Sequence, residues 1–188
     1  MTPPSVRKTS FGESRPLNTT GVGPLRRSMS RFKDLGVDFA RFQEHKQIAP
    51  AAKAIMRPWG QGCGFKMVID DGVLTDKGGI SGGVGLGCKT QYGLARPAGG
   101  STCIYPGRVT LASWGGLIRG GVDMYSVYFV TNIGLTGENV GILSRLALAT
   151  KASSRPFIMS GDWNVGADTF RKDAAVWLNK LNAVVVAP

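Results

Sequence analysis

Pro156 to Asn164 reads PFIMSGDWN. Phe157, Ile158 and Met159 form an unbroken apolar run, so Pro156 to Ser160 is a short buried-strand candidate. It runs straight into Gly161-Asp162-Trp163-Asn164. The end of a strand is where polar side chains can converge without disrupting a core. Asp162 and Asn164 are two apart, which in an extended segment places them on one face. An acid and an amide aimed at one point can orient a water and hold a phosphate or a metal. The same pair also suits an ordinary turn, so the reading depends on what the rest of the chain places beside it.

Outward from this stretch, strand and helix signals alternate. Val122 to Thr131 (VDMYSVYFVT) and Arg108 to Ser113 (RVTLAS) alternate apolar and polar and read as paired strands. Asn139 to Thr150 has Val140, Leu143, Leu146 and Ala147 at helical spacing, with Asn139 as a cap. Phe170 to Leu181 is an amphipathic helix with Ala174, Ala175, Trp177, Leu178 and Leu181 inward, and Ala183 to Ala187 is a β-branched final strand. Toward the N-terminus, Gly64 to Ile69 and Val37 to Phe42 read as strands. Ile48 to Met56 is a short helix ended by Pro58, and Gly23 to Leu35 a helix stopped by Gly36. Lys77 to Gly87 (KGGISGGVGLG) lacks both Gly-Lys-Ser/Thr and a helix-opening G-x-G-x-x-G. It is a strand whose glycines admit a neighbouring backbone. Mixed elements with hairpin-like neighbours imply an α+β fold with mostly antiparallel sheets.

The chain has 188 residues, 43% hydrophobic and 19% charged, enough for one packed domain. Residues 1–16 read as a flexible basic tail and 17–188 as the domain. No apolar run approaches the roughly 18 residues that span a bilayer, and no secretory signal opens the chain. The expectation is an intracellular protein with no membrane partner, nucleus and cytoplasm both open. Net charge is +11, of which residues 1–33 hold +6. A basic surface favours polyanions through counterion release. Cys63, Cys88 and Cys103 are odd in number and lack CxxC spacing, which fits free thiols, and His45 is the only histidine.

Three more polar clusters sit at predicted strand ends. Asn18 lies in Leu17-Asn18-Thr19-Thr20-Gly21. Gln43-Glu44-His45-Lys46 follows the strand Val37 to Phe42, and a carboxylate there is a natural oxygen ligand for Mg2+. Tyr128 and Asn132 close the strand that begins at Val122, and a tyrosine so placed can donate to a phosphate oxygen. Each alone suits a turn, cap or packing residue; their order is more telling.

Asn18, Gln43-Glu44-His45-Lys46, Gly82-Gly83-Val84, Tyr128 and Gly161-Asp162-Trp163-Asn164 follow one another at gaps that resemble the endonuclease/exonuclease/phosphatase superfamily. That superfamily includes abasic-site repair endonucleases and endonucleases of non-LTR retrotransposon type. The resemblance covers about 17–188 and implies a four-layer αββα sandwich of nuclease type. It implies Glu44 as the Mg2+ (or Mn2+) ligand, with Asn18 helping to hold metal or phosphate. Tyr128 would contact the scissile phosphate and Asp162 would orient or deprotonate the attacking water. Asn164 would position phosphate and base, and Asn132 would be a substrate contact. The implied partner is nucleic acid, DNA more than RNA, and the implied reaction metal-dependent phosphodiester hydrolysis.

The resemblance departs in two places. His45 stands where the family has threonine and is not the family's catalytic histidine. The family's late Asp motif and its Ser-Asp-His motif have no counterpart before Pro188. The expectation is therefore a C-terminally truncated, incomplete sandwich, inactive alone and marginally stable. The alternatives are a catalytically dead polyanion-binding remnant, or a phosphatase or lipid phosphodiesterase of the same superfamily.

Overall fold

The structure is a computed structural model that describes residues 14–18, 27, 31, 36–48, 50–95, 97 and 100–186. Its elements in chain order are β1 (Ser14–Asn18), β2 (Phe39–Gln43), α1 (Ala51–Gly62), β3 (Phe65–Asp70), β4 (Val73–Leu74), β5 (Ile80–Ser81) and β6 (Val84–Lys89). There follow β7 (Leu94–Ala95), β8 (Cys103–Tyr105), β9 (Val109–Trp114), β10 (Val122–Tyr128), α2 (Gly137–Lys151), β11 (Phe157–Asp162), α3 (Ala167–Asp173) and α4 (Ala175–Leu181). One sheet has the order β1-β2-β6-β3. The second has the order β11-β10-β9-β7, with β8 also on β9. β1 runs parallel to β2 and β10 parallel to β11; the other pairs are antiparallel.

Three apolar clusters define four layers. Phe39, Leu86, Cys88, Leu94, Ala112, Trp114, Val122 and Met124 pack between the sheets, with the Phe39 and Trp114 rings stacked at 4.1 Å. Ala40, Phe42, Met56, Phe65 and Ile69 bury α1 against the outer face of the first sheet. Val109, Leu111, Tyr125, Val127 and Phe129 meet Ile142, Leu143, Leu146, Phe170 and Leu178 of α2, α3 and α4 on the outer face of the second. The order α, β, β, α is the architecture the motif order implied. The period of two explains it, since alternate residues of β2 and β10 feed different layers. Lys77 to Gly87 is not one strand: β5 and β6 are separate, and Gly82 (φ 69) and Gly83 (φ 89) turn between them. A neighbouring backbone does approach at Gly82, where a side chain would strike the main chain of Gly107, whereas at Gly85 in β6 the neighbour is the Phe42 ring.

Several expectations are corrected. α1 runs through Pro58 to Gly62 rather than stopping before it. Pro58 and Ala54 are both exposed, so the carbonyl left without its helical partner faces water. The last amphipathic helix is two short helices that meet at Ala174. Asn139 does not cap α2; Thr136 holds that position, and Asn139 is wholly buried. Ala183 to Val186 forms no strand. Ala183 and Val185 pack on the helical layer while Val184 and Val186 are 87% and 85% exposed. The alternation is right, but among the described residues no strand gives this segment a ladder. β1 starts at Ser14, inside the stretch read as tail. Of the helix expected over Gly23 to Leu35, only Arg27 and Arg31 lie among the described residues, and both are helical. The three cysteines are free thiols. No helix among the described residues is long and apolar enough to cross a membrane.

Candidate functional site

Four strands end side by side. In the parallel pairs β1–β2 and β10–β11, Asn18 is in register with Gln43 and Tyr128 with Asp162. A buried hydrogen bond from Gln43 Nε2 to Ser126 Oγ (3.0 Å) joins the two sheets just inside this edge. The C-terminal ends of β2, β10 and β11 therefore open on one mouth.

Glu44 leaves β2 with φ 58 and Lys46 follows with φ 52. Left-handed backbone at a non-glycine residue costs of order 1–3 kcal/mol and persists only where its surroundings enforce it. Here His45 N donates to Gly83 O (3.3 Å) and Lys46 N to Gly82 O (3.0 Å), pinning the Glu44 loop to the start of β6. Asn132 (φ 64) and Asn164 (φ 48) share this conformation at the same edge.

The Tyr128 hydroxyl donates to Glu44 Oε1. Register places the Tyr128 and Asp162 side chains on one face, about 4.8 Å apart at their strands. Burial raises the Tyr128 hydroxyl pKa, as do the bond to Glu44 and the charges of Glu44 and Asp162; Arg108 opposes them. Tyr128 is thus a fixed proton donor at neutral pH. The Arg108 guanidinium lies 5.0 Å from the Tyr128 ring centre. Its Nη2 donates to Ser81 Oγ (3.1 Å) and its Nε to Glu138 Oε1 (3.3 Å).

Asp162 is held from the other side. Asn164 N donates to its Oδ1 (3.2 Å), and Asn164 Nδ2 donates to Phe129 O (2.7 Å). Trp163 turns away into the helical layer, 5.0 Å from Phe129 and 4.9 Å from Phe170. The sequence reading placed Asp162 and Asn164 on one face of an extended segment; the structure corrects this. β11 ends at Asp162 and Asn164 sits in a left-handed turn, which is what lets its N–H reach back to the carboxylate.

Of the residues expected from sequence, Glu44, Tyr128, Asp162 and Asn164 are thus brought together. Asn18 reaches the edge by its strand position, but its side chain lies outside the described residues. Asn132 is exposed at the rim and no hydrogen bond joins it to the other four among the described residues. Arg108 was missed. Its only signal was a cation opening the strand Arg108 to Ser113, too common a feature to single out.

No family model and no curated protein matches the sequence. Among solved structures, the AP endonuclease LMAP from Leishmania major matches with a TM-score of 0.65 at 14% identity, covering 96% of this chain and 72% of its own. The chain has the endonuclease/exonuclease/phosphatase fold. ANGEL2, a 2',3'-cyclic phosphatase, matches at a TM-score of 0.51 and 15% identity over 79% of this chain and 46% of its own. A humanized D. rerio TDP2 matches at 0.53 and 12% over 84% and 64%. The chain thus spans less than two thirds of the last two structures.

The resemblance read from the sequence implies a divalent metal. Among the described residues no three of His, Cys, Asp and Glu gather into one cage. That donor chemistry does not fit a structural zinc site, which needs four protein ligands. It does fit a hard hydrated cation, which takes one or two carboxylates and keeps several waters. Glu44, half-buried and fixed by its loop, is the carboxylate so placed.

His45 serves the endonuclease/exonuclease/phosphatase fold as a brace. It is wholly buried, its Nε2 donates to Asp70 O (2.8 Å), and Gln47 N donates to its Nδ1 (3.2 Å). That pattern requires the neutral ring, and burial lowers its pKa below the ordinary 6.5. The unfolded chain therefore binds this proton more readily than the folded one. Stability contributed by His45 is complete above pH 6.5 and is lost as pH falls toward the folded pKa. Burial raises the Asp70 pKa, which gives the opposite slope nearby. The expected result is that the wild-type-minus-His45→Asn difference in urea midpoint shrinks as pH is lowered from 7 to 5. A difference that stays constant or grows over that range would refute the neutral brace.

Proposed function

We propose that this chain carries the reacting face of a Mg2+- or Mn2+-dependent phosphodiester hydrolase directed at nucleic acid. The observation that carries the reading is the Tyr128 hydroxyl bonded to Glu44, in register beside Asp162 and under the Arg108 guanidinium. Glu44 would hold the cation, with Asn18 as a second donor, and the cation would neutralise charge growing on the phosphoryl oxygens. Tyr128, kept protonated, donates to a phosphoryl oxygen, and Arg108 adds positive charge beside it. Asp162 accepts a hydrogen bond from the attacking water and draws off its proton, its carboxylate aimed by the Asn164 N–H. Asn164 and Asn132 shape the rim on which the substrate rests. The net charge of +11 favours a polyanion, DNA before RNA. A second reading, a phosphatase, is supported by the match to ANGEL2.

His45 is locked in its brace, so no imidazole faces Asp162 among the described residues. At most slow turnover is expected from residues 1–188, and the test has two readouts. Mn2+ titrated against the protein should show one site by water-proton relaxation, lost in Glu44→Ala. Supercoiled plasmid should be nicked only with Mg2+ or Mn2+, and Asp162→Asn and Glu44→Ala should each lower the rate by about 100-fold or more while DNA binding persists. Nicking retained in both variants refutes the assignment. DNA binding with no metal-dependent nicking leaves a polyanion-binding remnant, and preference for a phosphomonoester establishes the phosphatase.

A further inference from the structure

β11 closes one side of its sheet, and among the described residues no strand pairs with its outer edge. We propose that this edge is the interface of a closed two-fold dimer. In it β11 pairs antiparallel with β11 of a second copy of this chain, and Met159 lies on the axis.

Hydrogen-bond parity decides which groups face outward. Asp123 N donates to Pro156 O and Phe129 N to Asp162 O, both at 2.9 Å. These bonds bracket the parallel ladder between β10 and β11. In such a ladder every second residue turns its main-chain groups to the same neighbour. Pro156, Ile158, Ser160 and Asp162 therefore face β10, while Phe157, Met159 and Gly161 turn their N–H and C=O groups outward. A row of outward groups on an edge strand is a template for another strand.

A cleft of about 1280 Å3 runs along this row, lined by the whole of β11 together with Val184 and Val186. Ile158, Val184 and Val186 are exposed in it. Apolar side chains beside outward main-chain groups make a surface that an added strand covers.

Self-complementarity selects the occupant. An axis through Met159 sets it opposite its own copy and sets Phe157 opposite Gly161 of the other copy. Of the registers that match outward groups with outward groups, this one engages all three residues, and each pair exchanges both its hydrogen bonds. Size matches too. The Phe157 ring covers the main chain of the opposed glycine, and Ile158 stands opposite Ser160. Charge matches at the ends, where Arg155 falls beside Asp162 of the other copy. The Arg155 guanidinium lies 3.5 Å from Asp123 in its own chain and has further donors for a second carboxylate. An isologous interface of this kind closes at two copies.

Sedimentation velocity over a concentration series tests this in about 0.15 M salt, which screens the charge of two basic chains beyond about 8 Å. The wild type should pass from monomer to dimer and no further. Ile158→Lys sets a cation in each half of the seam and should weaken association roughly 10-fold or more. The exposed position leaves its urea midpoint unchanged. Register is tested by oxidation. In Met159→Cys the paired residues stand about 5.5 Å apart at Cα, within disulfide reach, so covalent dimer should form in excess of wild type. Ser154→Cys should add none, because its two copies stand roughly 30 Å apart along the strands. A wild type that stays monomeric, one that associates without limit, association indifferent to Ile158→Lys, or equal cross-linking of the two cysteine variants overturns the inference. None of these outcomes bears on the hydrolase reading.

Discussion

Gly161→Ala is expected to cost about 3 kcal/mol or more and to pull Asp162 away from Tyr128. A side chain at Gly161 would collide with the main chain of Val127, lying 2.7 Å from its carbonyl carbon and 2.8 Å from its nitrogen. Backbone cannot rotate aside as a side chain can, so the β10–β11 pair itself must shift. Gly161 is in register with Val127, one step before the Tyr128–Asp162 pair. Total stability of a domain is about 5–15 kcal/mol, so the loss is a large share of it. Gly166→Ala is the control, since a side chain there meets only Thr169 Oγ1 at 3.8 Å. Urea midpoints should fall sharply for Gly161→Ala and stay put for Gly166→Ala. Equal midpoints would mean that β11 does not lie in this register against β10, and that Asp162 is not where the site needs it.

The same glycine shows what the sequence could and could not tell. Gly161-Asp162-Trp163-Asn164 after an apolar strand was legible because a strand end, an acid and an amide are local features. At Gly82-Gly83-Val84 the close approach of another backbone was legible, but the turn that Gly82 and Gly83 make before β6 was not. The gathering of Glu44, Tyr128 and Asp162 was legible only through the motif order, since no local rule joins residues 44 and 128. Arg108 stayed hidden because its role comes from three partners far apart in the chain: Tyr128, Ser81 and Glu138. Pro58 misled because helix-breaking rules assume that the freed carbonyl must be rescued by protein, and water rescues it here. Ala183 to Val186 misled because a β-branched run favours extended backbone, while a strand also needs a neighbour with unpaired ladder groups. β11 stands at the edge of its sheet, but a cleft of about 1280 Å3 lined by Phe157, Ile158 and Val184 lies along it, and the segment does not pair with it.

Asn139 was read as a cap because asparagine ahead of a helix usually is one, and its actual use supports the second large expectation. It is wholly buried at the third position of α2. Its Oδ1 accepts from Val130 N (2.8 Å), and its Nδ2 donates to Val130 O (3.0 Å) and Gly134 O (2.7 Å). The side chain thereby imitates a neighbouring strand just where β10 ends, and it fixes the loop that carries Asn132 in its left-handed conformation. Asn139→Ala removes all three bonds and strands their main-chain partners, for a cost of about 3 kcal/mol. Asn139→Asp keeps the acceptor but offers no donor to either carbonyl, setting a carboxylate against two carbonyl oxygens. At neutral pH it should be at least as unstable as the alanine variant. Protonation of the new carboxyl at acid pH restores one donor, so its deficit relative to wild type should narrow there, while the alanine deficit should not. Urea unfolding of the three proteins at both pH values measures this. An alanine variant within about 0.5 kcal/mol of wild type, the range of an inconsequential surface change, would mean the loop is held by something other than this amide.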